Sequence, residues 1–393
     1  MTICADVIII GGGVTGLSTA IHLKERGVQD VVVLERHSIG SGQSGRAAGV
    51  IRGTVQHPTV SATQLEGQSF FRSFSARFGI PLQVNEVGYL LVGQSRDRAY
   101  IEKTAAVADA AGCQLSEVSV SDARRLQPGL NVDDNDVFLY EPGALFVDPM
   151  PATQAMLIAA KSLGVTVIEG CEVEAVSVKG NVVQGVETSK DRFSSSRVLI
   201  ATSVWGQPQL ARLGIEVPVR PHIAQMAFCH VPFASQHRLQ RIVFDSRVGL
   251  YMRPEHESQM FVGRRESDFY QSNDVVDPDN YRQTATYDGL TEITQGLSRT
   301  LDFMRDGFVH RSYACTYDTT PDEMPILDRG ESVAGLYFAV GFSGGGFSTS
   351  PWVGNHMADF IAEDSKPAEI ELFGLDRFAS GELIRWSNTP TGP

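Results

Sequence analysis

Long apolar runs are missing from this chain of 393 residues: none reaches the roughly 18–20 residues that a membrane-spanning helix needs. The apolar stretch "VIIIGGG" near the N-terminus is too short for a secretory leader and lacks a basic flank and a cleavage site. Cysteine is scarce. Cys4, Cys113, Cys171, Cys229 and Cys315 are odd in number, widely spaced and free of any CxxC pair. That argues against a disulfide scaffold or a zinc site and fits a reducing cytoplasm. Positive charge is outweighed, with 33 Lys and Arg against 46 Asp and Glu and a net charge of −13. Nucleic acid and anionic membrane surfaces are poor partners for such a chain. It has no internal repeat and no low-complexity linker. Its length exceeds what one simple core holds, so two domains are expected.

Glycine, by contrast, is plentiful, with 38 residues that cluster. The first cluster lies in "ADVIIIGGGVTGLSTAIHLKERGVQDVVVLERHS". "DVIII" reads as a buried parallel strand. Gly11-x-Gly13-x-x-Gly16 follows, and then Val14, Leu17, Ala20, Ile21 and Leu23 mark the buried face of a helix. Gly27 suits the position just past the helix end, and "VVVLE" is a second strand ending in Glu35. Gly11 allows the tight turn, Gly13 lets backbone approach a pyrophosphate, and Gly16 lets helix and strand pack closely. The helix N-terminus favours the phosphates, and Glu35 suits a ribose hydroxyl. This is a dinucleotide cradle; NAD and FAD both fit it.

Two more segments narrow the choice. "ERHSIGSGQSGRAAGVIR" follows the second strand, and "LYFAVGFSGGGFSTSPWVGNHMADFIA" lies near the C-terminus behind "TPDEMPILD". The latter reads as a strand over Leu336–Val340, a glycine loop, and a helix over about 351–361. Together the motifs resemble the FAD-dependent amine oxidoreductases of the D-amino-acid oxidase superfamily, and sarcosine oxidases and glycine oxidase in particular. The resemblance runs through most of the chain in the expected order, although Gly345 replaces a usual loop histidine and Ser203 a usual glycine.

The resemblance implies an α/β protein: a Rossmann-like FAD-binding domain with a parallel sheet, interleaved with an α+β substrate domain on a mainly antiparallel sheet. Residues 1–84, 142–220 and 326–393 would form the first, and 85–141 and 221–325 the second. FAD would touch Gly11, Gly13, Val14, Thr15, Gly16, Glu35 and Arg36. Along the loop after the second strand it would touch Gly42, Ser44, Gly45, Arg46, Ala47, Ala48 and Gly49. Val173 would meet the adenine, Thr202 and Trp205 would flank the cofactor, and Gly341, Phe342, Ser343, Gly344, Gly345, Gly346 and Phe347 would close over the ring. Cys315, in "CTYDTTPDE", stands where several relatives carry FAD through a thioether.

The implied reaction is hydride transfer to FAD from the carbon beside the nitrogen of a secondary amine or amino acid, giving an imine that water hydrolyses. Electrons would pass to oxygen or to another acceptor, oxygen being favoured. The alternatives are a D-amino or imino acid dehydrogenase and a flavoprotein subunit of a larger complex. A nicotinamide-dependent flavin monooxygenase is disfavoured by the lack of a second GxGxxG. Arg52, Arg253 and Arg264 are candidate clamps for a substrate carboxylate. Tyr251 is a candidate substrate contact, His222 more a structural histidine than a pocket one, and Gly345 suggests room for more than sarcosine. No metal is expected, and an oligomer is allowed for.

Overall fold

The structure, a computed structural model, describes residues 2–55, 57–256, 258–265 and 275–384. A six-stranded sheet runs in the order Thr166–Ile168, Val31–Leu34, Val7–Ile10, Val198–Ile200, Leu336–Val340, Ile326–Arg329. Its first five strands are parallel and the last is antiparallel. The two central runs, Val7–Ile10 and Val198–Ile200, are buried throughout, as expected of parallel strands covered on both faces. Helix Val14–Glu25 follows the first of these strands and helix Gly346–Glu363 follows Leu336–Val340. The two helices cross closely at Gly354, where a Cβ would stand 2.2 Å from Ser18 Oγ.

A second sheet has eight strands in the order Phe308–Thr319, Arg220–His230, Gln259–Arg264, Leu250–Pro254, Ile242–Asp245, Tyr89–Gly93, Val137–Glu141, Ser116–Glu117. It is antiparallel except where Ile242–Asp245 runs parallel to Tyr89–Gly93. Both sheets therefore draw on separated stretches of chain, as the mixed α/β reading expects. The hairpin read in "VGLYMRPEHESQMFVGRRE" forms between Leu250–Pro254 and Gln259–Arg264. The Lys-Gly-Asn turn joins Val173–Lys179 to Val182–Thr188, with Gly180 and Asn181 both at positive φ. Asp148 caps helix Pro149–Ser162 through the Met150 amide, and Gly164 follows it at φ +87°.

One boundary differs from the sequence reading. The C-terminal helix begins at Gly346, so Gly346 and Phe347 belong to its first turn and Pro351 lies inside it. A proline there cannot donate to the Phe347 carbonyl, and the Ser350 hydroxyl donates to that carbonyl instead (2.9 Å). Among the described residues no helix is long and apolar enough to cross a membrane.

Glu141 ties the eight-stranded sheet to the stretch around Arg52 and to helix Pro58–Phe78. It is 1% exposed, and its carboxylate accepts from the amides of Gly53 (2.9 Å) and Thr54 (3.0 Å) and from Gln68 Nε2 (2.7 Å). The segment around Arg52 is thereby fixed between strand Val137–Glu141 and helix Pro58–Phe78. Replacing Glu141 with Ala strips two buried amides, the Thr54 hydroxyl and the Gln68 side-chain amide of their acceptor, at about 1–3 kcal/mol for each donor left unsatisfied. Urea unfolding of Glu141→Ala should show a midpoint well below wild type; an unchanged midpoint would mean that water or a neighbour takes over the four donors.

Candidate active site

A cavity of about 650 Å³ starts at the first turn of helix Val14–Glu25 and ends among the strands of the eight-stranded sheet. Gly11, Gly13, Val14 and Thr15 line one end, with Glu35 and Arg36 beside them. The cradle is closed to side chains. Gly11 has φ +109°, and a Cβ on it would lie 2.4 Å from the Ala201 carbonyl oxygen. A Cβ on Gly16 would lie 2.0 Å from the Gly11 carbonyl oxygen, and one on Gly13 2.8 Å from Ser44 Oγ. Glu35 is held by the amides of Gly12 and His37 (both 2.9 Å). Arg36 lies over the Trp205 ring (4.7 Å), and both donate to Asp279, at 2.8 Å and 2.9 Å. Sequence reasoning missed Asp279, which has no local pattern to mark it.

Gly42, Ser44, Arg46, Ala47, Ala48, Val173, Thr202 and Trp205 also line the cavity. Gly16, Gly45, Gly49 and Gly341 do not line it; they shape the wall from behind. Gly49, at φ +68°, would place a Cβ 2.0 Å from the Val147 carbonyl oxygen. At the far end Phe342, Ser343, Gly344, Gly345, Gly346 and Phe347 line the wall. Gly344 lies against the Tyr317 ring, with 2.9 Å left for a Cβ. Gly345 is open: a Cβ there meets only the Phe342 carbonyl oxygen, at 3.4 Å.

The strand Phe308–Thr319 delivers four cavity residues, Cys315, Tyr317, Asp318 and Thr319, that the sequence reading only partly foresaw. Cys315 is 2% exposed, and burial pushes its thiol up to about 12, with the Arg46 charge pulling the other way. Tyr317, two residues on and so on the same strand face, hydrogen-bonds Tyr251; burial pushes the Tyr251 phenol up to about 12 and Tyr317 well above its usual value. Asp318 is buried and accepts from the Gly341 amide (2.9 Å), the Phe342 amide and the Ser203 hydroxyl. Desolvation raises its pKa and these hydrogen bonds oppose the rise. Ser203 and Ser343 both hold left-handed backbone, φ 52° and 49°, where Ser203 replaces the expected glycine.

The three candidate arginines part company. Arg52 lines the cavity with its guanidinium 4.9 Å from the Tyr89 ring centroid and donating to the Thr54 carbonyl. Arg264 lines the outer part and pairs with Glu292. Arg253, one of the three candidate clamps, does not line the cavity. It is 3% exposed, pairs with Glu255, and donates through Nε to the Ala48 carbonyl (2.7 Å). Phe146 and Phe261 lie under its guanidinium at 4.7 and 5.0 Å. His222 is buried and away from the cavity lining. Arg265, next to Arg264, lines the cavity and pairs with Glu323 (2.8 Å); sequence reasoning passed over it because two adjacent arginines on a strand end look alike.

The family model for FAD dependent oxidoreductases (DAO) matches residues 6–360, and the chain belongs to that family. It is an FAD-dependent oxidoreductase. The sarcosine oxidase subunit beta of Rhizobium meliloti is 28% identical over 96% of this chain and 89% of that protein. The sarcosine oxidase subunit beta of Rhodobacter capsulatus is 24% identical, over 96% and 90%. Among solved structures, an L-proline dehydrogenase from P. horikoshii superposes with a TM-score of 0.88 at 24% identity, covering 98% of this chain and 100% of that one. Glycine oxidase from Geobacillus kaustophilus gives 0.81 at 22%, covering 95% and 99%. The fold is theirs. The side-chain-free cradle, the backbone-only wall at Gly344–Gly346 and the extended cavity fit the cofactor that the family name states.

If Arg253 is structural, Arg253→Leu should lower stability by about 3–5 kcal/mol, because Glu255 is left as a buried unpaired charge. Thermal melts should show that loss. Equal melting, with ligand binding impaired instead, would return Arg253 to the substrate site.

Proposed function

We propose that this enzyme oxidises the C–N bond of a secondary amine or amino acid, a sarcosine-like N-alkyl amino acid or a larger one, to an imine that water hydrolyses. One observation carries the reading: the cavity that begins at the dinucleotide cradle continues past the open Gly345 position to a buried chamber bearing Arg52. The names of relatives agree with it, since they include sarcosine oxidase subunits and a 4-methylaminobutanoate oxidase. FAD held along the cradle would supply the hydride acceptor. The chain's own part is placement. Arg52 receives the substrate carboxylate as a bidentate charge-assisted pair. Glu141 holds the Arg52 segment still, through the amides of Gly53 and Thr54. Tyr251 and Tyr317, both protonated, present a hydroxyl pair rather than a charge at the other wall. The apolar surroundings of Ile242, Phe244 and Phe347 keep bulk water from the reacting carbon.

Residues 1–84, 142–220 and 326–393 are proposed as the cofactor unit and 85–141 and 221–325 as the substrate unit. Oxygen is the proposed acceptor. A second reading, a flavoprotein subunit of a larger assembly, is favoured by one observation: two of the relatives spanned nearly end to end are called beta subunits. Anaerobic mixing of the purified chain with N-alkyl amino acids should bleach the flavin absorbance, and admitting air should restore it quickly. Bleaching with slow return in air would indicate another acceptor, and no bleaching by any amine would favour the subunit reading. Arg52→Leu should weaken binding of carboxylated amines about 10- to 100-fold, while amines without a carboxylate change little.

Cys315 is proposed to carry FAD through a thioether. The sulfur lines the cavity wall, and Arg46 is the charge that favours its thiolate against the cost of burial. Forming that bond removes the thiol proton, one methyl hydrogen and two electrons, and the electrons leave through the enzyme's ordinary acceptor. Acid precipitation should leave a yellow pellet from the wild type and a colourless one from Cys315→Ala. A colourless wild-type pellet refutes the link.

A further inference from the structure

The cofactor cavity is joined to the eight-stranded sheet along two seams of different character. One runs along the glycine loop after strand Val31–Leu34. There Gln43 Nε2 donates to Thr316 Oγ1 (2.8 Å), the Tyr313 hydroxyl to the Arg46 carbonyl (2.8 Å), and Arg253 Nε to the Ala48 carbonyl. Thr316 and Arg253 are buried, so water does not reach these contacts freely. The other seam runs through residues 276–283, of which Pro278, Asp279, Tyr281 and Gln283 line the cavity. Both ends of that stretch are tied to the eight-stranded sheet. The Val276 amide donates to the Pro221 carbonyl (3.1 Å), and the Ala314 amide to the Gln283 carbonyl (2.9 Å). Its middle is tied to the other side of the cavity, where Asp279 Oδ1 accepts from Arg36 Nη2 and Trp205 Nε1. Arg36 follows Glu35, so this tie lies at the ribose end of the cradle. Tyr281, two residues on, is close enough to Arg46 for that charge to oppose the effect of burial on its phenol. The stretch therefore runs along the cavity from the cradle towards the glycine loop.

We propose that residues 276–283 form a strap over the bound FAD and that Asp279 fastens it, so that the cofactor enters and leaves when the Asp279 contacts open. Of the two seams, the one that opens is the one water reaches. The Asp279 side chain is 55% exposed and that of Arg36 26%. Water and salt ions replace the partners of an exposed ion pair when it parts. Buried donors and acceptors in the glycine-loop seam would be left with nothing in exchange. The fastening is compact, because Arg36 lies over the Trp205 ring and one carboxylate gathers both donors. It is also permanently charged at neutral pH. Partial burial works to raise the Asp279 pKa, but the hydrogen bonds from Arg36 and Trp205 outweigh that and hold it below the usual carboxylate value. Opening stays local, because the turn around Asp279 is self-contained. Its amide donates to Asp277 Oδ1 (2.9 Å) and the Asn280 amide to the Asp277 carbonyl (3.1 Å). Asp279 is thus a positioning residue, acting through Arg36 and Trp205 and taking no part in the chemistry.

Flavin exchange, not turnover, is the readout. Diluting the holoenzyme and following the rise of free-flavin fluorescence gives the release rate. Mixing FAD with the full chain stripped of flavin, and following the loss of fluorescence, gives the loading rate. If a thioether holds the flavin, both rates are read in the Cys315→Ala background. Asp279→Ala should release FAD about tenfold faster than its parent. It should also load FAD at least as fast, because an unfastened strap no longer bars entry. Salt at about 1 M should speed release from the parent towards the Asp279→Ala rate and change the variant little. Asp279→Asn keeps an acceptor for Trp205 without the charge, and its release rate should fall between the two. An unchanged release rate in Asp279→Ala overturns the proposal. So does faster release with slower loading, which marks damage to the cradle itself, and so does a salt response as large in the variant as in the parent. None of these rates depends on which amine the enzyme oxidises.

Discussion

The structure turns on a backbone crossing that admits no methyl group. The carbonyl of Gly11 lies where a Cβ on Gly16 would have to go, and the carbonyl of Ala201 where a Cβ on Gly11 would have to go. That contact seats the first turn of helix Val14–Glu25 against the ends of strands Val7–Ile10 and Val198–Ile200. Helix Gly346–Glu363 then lies against the same helix through the equally tight contact of Gly354 with Ser18. Two helix N-termini and a glycine-walled turn are thereby placed along one cavity. Larger residues at Gly11, Gly16 or Gly354 would push apart the elements that shape both ends of the site.

The cradle was legible in the sequence because its information is local. A strand period, a glycine spacing, a helix stop and a terminal acid all lie within about thirty-five residues of the N-terminus. The far chamber was legible only in part. Its residues come from positions as distant as Arg52, Gln64, Tyr89, Tyr251 and Tyr317, and no spacing joins them. Two signals were available and unused. Period two along Phe308–Thr319 places Tyr317 on the face of Cys315, and the i, i+2 relation of Arg253 to Glu255 marks that arginine as already partnered. The start of the last helix was misread because Pro351 looks like a first-turn proline. The Ser350 hydroxyl supplies the hydrogen bond that lets the helix begin a turn earlier.

Conformational strain gathers around the same cavity. Ser203, Glu323 and Ser343 line it with left-handed backbone that side chains seldom adopt. Asp318 offsets part of that strain. Its carbonyl accepts the Ser343 amide (3.1 Å), and its carboxylate gathers the Gly341 amide and the Ser203 hydroxyl. A buried acid thus fastens the ends of two neighbouring parallel strands to the edge strand of the other sheet. Rigidity of the site wall is bought with local strain at three positions, which is the usual arrangement where geometry matters more than stability.

The strand order of the six-stranded sheet has a consequence for how the chain comes into being. Val198–Ile200 pairs with Leu336–Val340, which is made more than a hundred residues later. During synthesis the edge of Val198–Ile200 therefore stays open while most of the other sheet emerges, and a bare hydrophobic strand edge invites pairing with other chains. The nucleotide cradle is written first and completed nearly last, so a nascent chain spends most of its synthesis with half a site, and early loading of the dinucleotide has little to hold.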